Sequence, residues 1–239
     1  MMTELTLPII GYMHSSYKEK FGIPRQPNLV QVESYIEMLA PYNDVLAFEG
    51  IEAFSHLWLV WQFHDNKNPE KNQFRPQVRP PRLGGNKKIG VFATRSMYRP
   101  SQIGLSVVRL KCVKKEGKSV RVYVTGSDLL DGTPIVDIKP YIHYSDAVIN
   151  AESGYAQDEP KRKSVIWSDR AIEQKQQLLM SEKLSVQTAQ ELEAVLSLDP
   201  RPAYQDDEAR VYKMKFAAVD IAFTVGETTV NITAVELET

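Results

Sequence analysis

Apolar and polar positions alternate in short runs through the first two thirds of the chain, and their period is that of strands. In Ser119 to Thr125, Val120, Val122 and Val124 alternate with Arg121, Tyr123 and Thr125, as expected of a strand with one buried face. Leu105 to Val113 is equally β-prone, and the intervening Lys115-Glu-Gly-Lys118 predicts a hairpin. Leu5 to Met13, His56 to His64 and Ile89 to Thr94 add further strands, the last preceded by Gly84-Gly85. Many short strands punctuated by prolines, with no long helix between them, predict an antiparallel β-barrel or sandwich and not a doubly wound sheet.

The pattern changes after Tyr144. Ser145 to Lys163 mixes Asp, Glu, Ser, Gly and Pro without a period, so residues 146–168 are expected to form a linker or crossover. Asp169 to Met180 predicts a helix. Ser185 can cap a second one, with Val186, Ala189, Leu192, Val195 and Leu196 on a single face. That helix should stop at Asp199-Pro200, because the residue before a proline is pushed out of the helical region. Val211 to Phe216, Val219 to Val225 and Thr228 to Val235 predict three closing strands. The expected organisation is mainly β: an antiparallel barrel over residues 1–145 and a small α+β domain over residues 169–239.

Composition narrows the function classes. A single cysteine, Cys112, excludes an internal disulfide framework and a clustered-cysteine zinc site, and suits a reducing cytoplasm. The first residues lack a basic segment followed by a long apolar one, and the longest apolar run, Leu57 to Trp61, is too short to span a bilayer. A cytoplasmic protein with no membrane segment is expected. His14, His56, His64 and His143 are scattered, with His56 expected in the core and His64 at a strand end, so no metal site is expected.

Charge changes the picture most. The formal net charge is only -1, yet Lys71 to Lys115 holds twelve Lys and Arg and no Asp or Glu. Cations without local carboxylates favour an anion such as phosphate, unless the fold brings acids across. Prolines between Arg75 and Lys88 stiffen the backbone and display Arg75, Arg79, Arg82, Lys87 and Lys88 as a rigid arm. The arm suits nucleic-acid contact, or equally a solvated surface balanced by the acidic C-terminal third. Ala93 to Ser106 then places Arg95, Arg99 and several hydroxyls between two strands, where a carboxylate or phosphate could be held, although Gly104 could serve only to relieve a crowded turn. In Asp128 to Tyr141, Asp131-Gly-Thr-Pro134 has tight-turn chemistry, while Asp128, Asp131, Asp137 and Lys139 are charges set among Leu, Ile and Val. Such carboxylates could hold ribose hydroxyls or an ammonium group. Gly-x-Gly-x-x-Gly, the phosphate-binding Gly-Lys-Ser/Thr loop, His-Glu-x-x-His and Gly-x-Ser-x-Gly are all missing, which removes the usual dinucleotide and hydrolase readings.

These blocks, in this order, resemble the TsaA-like domain of the TrmO family, S-adenosylmethionine-dependent methyltransferases acting on tRNA. The matching stretches are Lys18 to Pro27, Ala40-Pro-Tyr-Asn43, Phe54-Ser-His-Leu-Trp58, Arg79 to Asn86, Gly90 to Ser96, Arg99-Pro, Ile103-Gly-Leu-Ser106 and Asp128-Leu-Leu-Asp-Gly-Thr-Pro134. Asp199-Pro-Arg-Pro-Ala-Tyr204 is similar to part of the family's small second domain. The resemblance implies a β-barrel methyltransferase whose S-adenosylmethionine site uses Pro24, Arg25, Gln26, His64, Asp65, Arg95, Leu105, Asp128, Leu129, Leu130 and Asp131. It implies methyl transfer to the N-6 nitrogen of threonylcarbamoyl-modified adenosine at tRNA position 37, with Asp131 or Tyr42 as proton acceptor, Arg99 or Arg82 for the substrate's carboxylate, and the arm for tRNA. A homodimer with the cofactor near its interface is also implied. Two positions depart from the family pattern: Arg99-Pro-Ser-Gln-Ile-Gly104 replaces Arg-Pro-Asn-Pro-Ile-Gly, and Asp65 follows His64 where an amide is common. The competing classes are a non-catalytic nucleic-acid-binding or regulatory protein, in which the arm is the whole function, and a small-molecule methyltransferase.

Overall fold

The computed structural model describes residues 5–66, 74–202, 205 and 207–238. Lys71 at the start of the acid-free segment, and Ala203 and Tyr204 of the C-terminal motif, lie outside these residues, as do residues 1–4. The described elements, in chain order, are β1 (Gly11–His14), β2 (Glu33–Met38), β3 (His56–Gln62), β4 (Gln77–Val78), β5 (Ile89–Gly90), β6 (Ile103–Glu116), β7 (Ser119–Thr125), β8 (Pro134–Pro140), α1 (His143–Asp146), β9 (Ser164–Trp167), α2 (Asp169–Met180), α3 (Val186–Leu196), β10 (Tyr212–Phe216), β11 (Val219–Val225) and β12 (Thr229–Leu237).

Six strands close into a barrel in the order β1-β2-β7-β6-β3-β8, with β8 returning to β1. Every pairing in it is antiparallel. The predicted hairpin is β6–β7, with Glu116 opposite Ser119 and Gly117 at φ +62°, a conformation that glycine adopts without cost. The alternation read in β7 points Val120, Val122 and Val124 into a core shared with Leu57, Leu59, Val108, Ile36 and Leu129.

Two barrel strands were not among those expected. Glu33 and Glu37 mask the alternation of β2, whose Ser34, Ile36 and Met38 are the buried positions. In β8, Asp137 and Lys139 look like charges embedded among apolar residues, but they pair with each other at the surface at 2.6 Å. The strand expected over Ile89 to Thr94 shrinks to β5, which pairs with β4 outside the barrel, and a 3-10 turn follows over Val91–Ala93. Leu5 to Met13 contributes only its end, β1.

The second sheet runs β10-β11-β12-β9, with β9 parallel to β12. β9 falls within the stretch expected as crossover, so the second unit's sheet begins upstream of Asp169. Ser168 and Ser185 cap α2 and α3, each accepting from a backbone N–H of the first turn. Leu192, Val195 and Leu196 of α3 pack on Ile221, Phe223 and Ile232 of the sheet. This core also takes Tyr17, Val30 and Val32 from the long β1–β2 connection, and Tyr17 meets Phe216 edge to face at 5.9 Å. The connection that carries Pro24, Arg25 and Gln26 is thus packed on the second unit while its ends belong to the barrel. Among the described residues, no helix is long and apolar enough to cross a membrane.

Candidate active site

One mouth of the barrel opens into a cavity of about 490 Å³, within the usual range for a small-molecule site. Four stretches far apart in sequence meet there. The β1–β2 connection supplies Pro24, Arg25 and Gln26; the end of β3 supplies His64 and Asp65; the loop before β6 supplies Arg95 and Arg99; Leu105, Asp128 and Leu130 complete the wall. Of the cofactor positions expected from sequence, only Leu129 and Asp131 are not on it. Leu129 is fully buried in the barrel core.

Most of the polar wall residues are held by protein partners. Arg95 donates to the Gln26 side-chain oxygen at 2.6 Å. Arg25 donates to the Arg201 carbonyl at 3.0 Å, and Arg201 is itself buried, its guanidinium forked onto Asp199 with both contacts at 2.9 Å. Burial opposes the Asp199 charge, but the Arg201 hydrogen bonds hold its carboxyl below the usual range. The Asp199-Pro-Arg segment therefore has a structural use: it carries the carbonyl that fixes Arg25 at the cavity.

Asp128 is a half-buried carboxylate on the cavity wall. Its Oδ1 accepts from the Ser106 hydroxyl at 2.6 Å, and Ser106 accepts from the Trp61 indole N–H at 3.0 Å. Loss of water around the Asp128 carboxyl pushes its pKa up to about 6, against the opposing pull of Ser106 and Arg95. Trp61 and Phe63, which sequence reading did not single out as site residues, form an apolar edge to the cavity, edge to face at 4.4 Å. The alternation of β3 already turned Trp61 inward, but its use as a donor depends on a partner 45 residues away.

Both departures from the family pattern have local explanations. Lys20 donates to the Asp65 carbonyl and stands 3.5 Å from its carboxylate, so the added charge is largely offset. Asn66, the next residue, also lines the cavity and supplies an amide there. Gln102 sits at φ +51°, which proline cannot adopt, so this turn differs from one built on proline at the same place.

Other expected site residues lie elsewhere. Asp131 accepts from the Ser15 backbone N–H and from Lys18, both at 2.9 Å, which ties its turn to β1. Tyr42 sits in the turn after β2, its N–H on the Leu39 carbonyl, and is not on the cavity wall. Along the arm, Arg79, Lys87 and Lys88 are exposed, while Arg82 donates to the Asp158 carbonyl. Arg75 borders a shallow depression shared with Lys18 and Tyr98. Next to the arm, exposed Phe74 and Phe92 stack at 6.1 Å. Further along the acid-free segment, Lys111 is paired with Glu33 from β2, an acid brought across by the fold.

Residues 12–147 match the family model described as the tRNA-methyltransferase O N-terminal domain, and residues 160–238 match the TrmO C-terminal domain. The chain is 44% identical over 208 residues to the tRNA (adenine(37)-N6)-methyltransferase of Escherichia coli strain K12, covering 87% of this chain and 86% of that protein. It is also 44% identical over 223 residues to a putative S-adenosylmethionine-dependent methyltransferase, RcsF, of Pseudomonas aeruginosa, covering 92% of each. The crystal structure of TrmO from P. aeruginosa superposes with a TM-score of 0.79 at 35% identity, covering 100% of this chain and 99% of the other.

Proposed function

Because the chain belongs to the tRNA-methyltransferase O family, we propose that its barrel-mouth cavity takes S-adenosylmethionine and that the enzyme methylates the N-6 nitrogen of threonylcarbamoyl-modified adenosine at tRNA position 37. The observation that carries this reading is the meeting, on one cavity wall, of the Pro24–Gln26 loop, His64-Asp65, Arg95, Leu105 and Asp128. The chemistry of the wall suits the molecule. Arg25 and Arg95 offer donors to its carboxylate, Asp128 an anion to its positive charge, Trp61 and Phe63 aromatic surface, and Asp65 and Asn66 polar groups for a nucleoside.

When bound, S-adenosylmethionine supplies a methyl group on a sulfonium, a good leaving group, so the protein need not form a covalent intermediate. The residues act by holding the two reactants in line and excluding water. Arg25 is fixed through Arg201, Arg95 through Gln26 and Asp128 through Ser106, so each charged group on the wall is held at one place. Asp131 and Tyr42 are both off the cavity wall, so alignment carries more of the rate in this account than a protein base does.

The arm residues Arg79, Arg82, Lys87 and Lys88, together with Arg75, are assigned to tRNA phosphates, and the Phe74–Phe92 pair offers a neighbouring surface on which a base can stack. Arg99 is assigned to the threonine carboxylate. It lines the cavity, is stiffened by Pro100, and spends one contact on the Thr94 carbonyl at 3.3 Å. Working in the cytoplasm and as a homodimer fits tRNA chemistry and the family pattern.

The test is methyl transfer from labelled S-adenosylmethionine to tRNA from cells lacking this protein, with and without the prior threonylcarbamoyl modification. Transfer to the modified tRNA alone is expected. Arg99→Ala should lower that transfer roughly 10- to 100-fold, the scale of a missing charge-assisted hydrogen bond, and Arg99→Lys should restore little of it. Equal transfer to unmodified tRNA, or a fully active Arg99→Ala, would overturn the assignment.

A further inference from the structure

Ile103-Gly-Leu-Ser106 and Trp61 together form a device that the family pattern does not explain. In the β3–β6 ladder Trp61 stands directly opposite Gly104 and Leu59 opposite Ser106. A Cβ added at Gly104 would lie 2.3 Å from two ring atoms of Trp61, closer than side-chain packing tolerates, so only glycine lets the indole lie flat across β6. Ser106, two residues on and therefore on the same face of the strand, then receives the indole N–H. Trp61 is 8% and Ser106 1% exposed, so water does not compete for this contact.

The direction of the chain of hydrogen bonds follows from the chemistry of its members. An indole nitrogen can only donate. Ser106 must accept that bond, which leaves its single proton for the next partner, and the partner is Asp128 Oδ1 at 2.6 Å. This arrangement suits a carboxylate. A protonated Asp128 whose proton sat on Oδ1 would face the Ser106 proton head on, whereas the anion accepts it.

We infer that Ser106 is a positioning residue, which holds the Asp128 carboxylate as an anionic acceptor on the cavity wall through a hydrogen bond whose direction Trp61 sets and Gly104 makes room for. Its use toward a cationic ligand rests on the proposed S-adenosylmethionine site; its effect on Asp128 does not. Burial alone opposes the charge on Asp128, and Ser106 is the strongest of the groups that favour it. The other charged groups on the same cavity are Arg95, nearest in effect, Arg25, Lys20 and Arg99, with His64 and Asp65 at the end of β3. The Tyr17 phenol, buried on the core side, is raised first by burial and then by Asp128 itself, and so stays neutral.

The experiment has two readouts, one without any ligand. Carbon-13 NMR of aspartate-labelled protein, with the Asp128 carboxyl assigned by its loss in Asp128→Asn, follows its titration in wild type, Ser106→Ala, Ser106→Thr and Trp61→Phe. Ser106→Ala should move the midpoint upward by about one pH unit, the worth of one hydrogen bond to a charged group, and Ser106→Thr should stay within a few tenths of wild type. Trp61→Phe should move it in the same direction by less. Calorimetry with S-adenosylmethionine then gives the consequence. From the two ionised fractions, the Ser106→Ala deficit should be about fivefold at pH 6 and less than twofold at pH 8. A lesion in packing would instead weaken binding equally at both. An unmoved Asp128 midpoint in folded Ser106→Ala, or an upward shift of the same size in Ser106→Thr, would overturn the inference; a shifted midpoint with no S-adenosylmethionine binding by wild type would leave it standing and remove the cofactor reading instead.

Discussion

At the cavity Arg95 is held by Gln26, Arg25 by the Arg201 carbonyl and Asp128 by Ser106, whereas along the neighbouring arm Arg79, Lys87 and Lys88 stand exposed with no ion pair among the described residues. The two regions are both charged and adjacent in the chain. They differ in what fixes the charge. The proposed cofactor site, which has to align a methyl donor, needs each group at one place and in one protonation state, and the barrel has rigid neighbours for that. A surface that meets a polyanion needs charge density and little else, because phosphate contacts are summed more than aimed.

The largest separation between the two regions should come from the arm. Replacing Arg79, Arg82, Lys87 and Lys88 together by Ala should weaken tRNA binding roughly 100- to 1,000-fold at low salt, and flatten the dependence of log affinity on log salt by roughly 0.7 to 0.9 for each phosphate no longer neutralised. Affinity for S-adenosylmethionine should stay within about twofold in the same protein, since none of the four lines the cavity and exposed charges are screened by salt. Filter binding across a salt series checks the first, calorimetry the second. An unchanged salt slope would reduce the arm to solvated surface.

The converse variants sit in the cavity. Arg95→Ala or Asp128→Ala should weaken S-adenosylmethionine by roughly 1 to 3 kcal/mol, about 5- to 150-fold, and leave the tRNA salt slope as it is. If either variant altered the salt slope instead, the division between an aligned site and a summed surface would fail.

A third variant separates stability from binding. The Asp128 carboxyl has a folded pKa of about 6, above its ordinary 3.8. A raised value means that the folded state binds the proton more tightly, so this group's stabilising contribution is complete below pH 3.8 and is lost as pH rises through 6. Asp128→Asn should therefore gain roughly 2 to 3 kcal/mol relative to wild type between pH 4 and pH 8 in ligand-free urea unfolding. A difference between the two proteins that does not change with pH would contradict the burial of the charge.

Asp65→Asn should have the smallest effect. Lys20 already offsets most of the charge that Asp65 adds, and the pair is partly exposed. S-adenosylmethionine affinity should change by less than about threefold. A larger gain would mean that the Asp65 charge reaches the ligand despite Lys20.

The same contrast explains which parts were legible in the sequence. The β6–β7 hairpin, α2, the start of α3 and β11 could be placed nearly to the residue because each carries a complete local signal, alternation or a capping serine, whereas α3 ends at Leu196, short of the stop expected at Asp199-Pro200. β2 and β8 were not, because their polar residues lie on the outer barrel face and read as breaks in the pattern until closure defines an inside. β9 is four residues long and pairs in parallel with a strand more than sixty residues later, a contact that no local pattern announces. On the cavity wall, family motifs pointed to Arg25, Asp128 and Arg95 with its partner Gln26, but not to what holds Arg25 and Asp128. Arg201, Ser106 and Trp61 do so across 176, 22 and 45 residues, and each acts through one directed hydrogen bond that composition cannot reveal. Tyr42 and Asp131 also lie in motif segments, but Tyr42 does not line the cavity and Asp131 closes a turn onto the end of β1.

The most direct test of the central claim is calorimetric titration of the wild-type protein with S-adenosylmethionine at pH 7.5, the tRNA left out. Saturable binding is expected, with a dissociation constant well below about 1 mM, equivalent to more than about 4 kcal/mol, and at least a fivefold loss in Asp128→Ala. No heat of binding by wild type at millimolar ligand would contradict the assignment of the barrel-mouth cavity to the methyl donor.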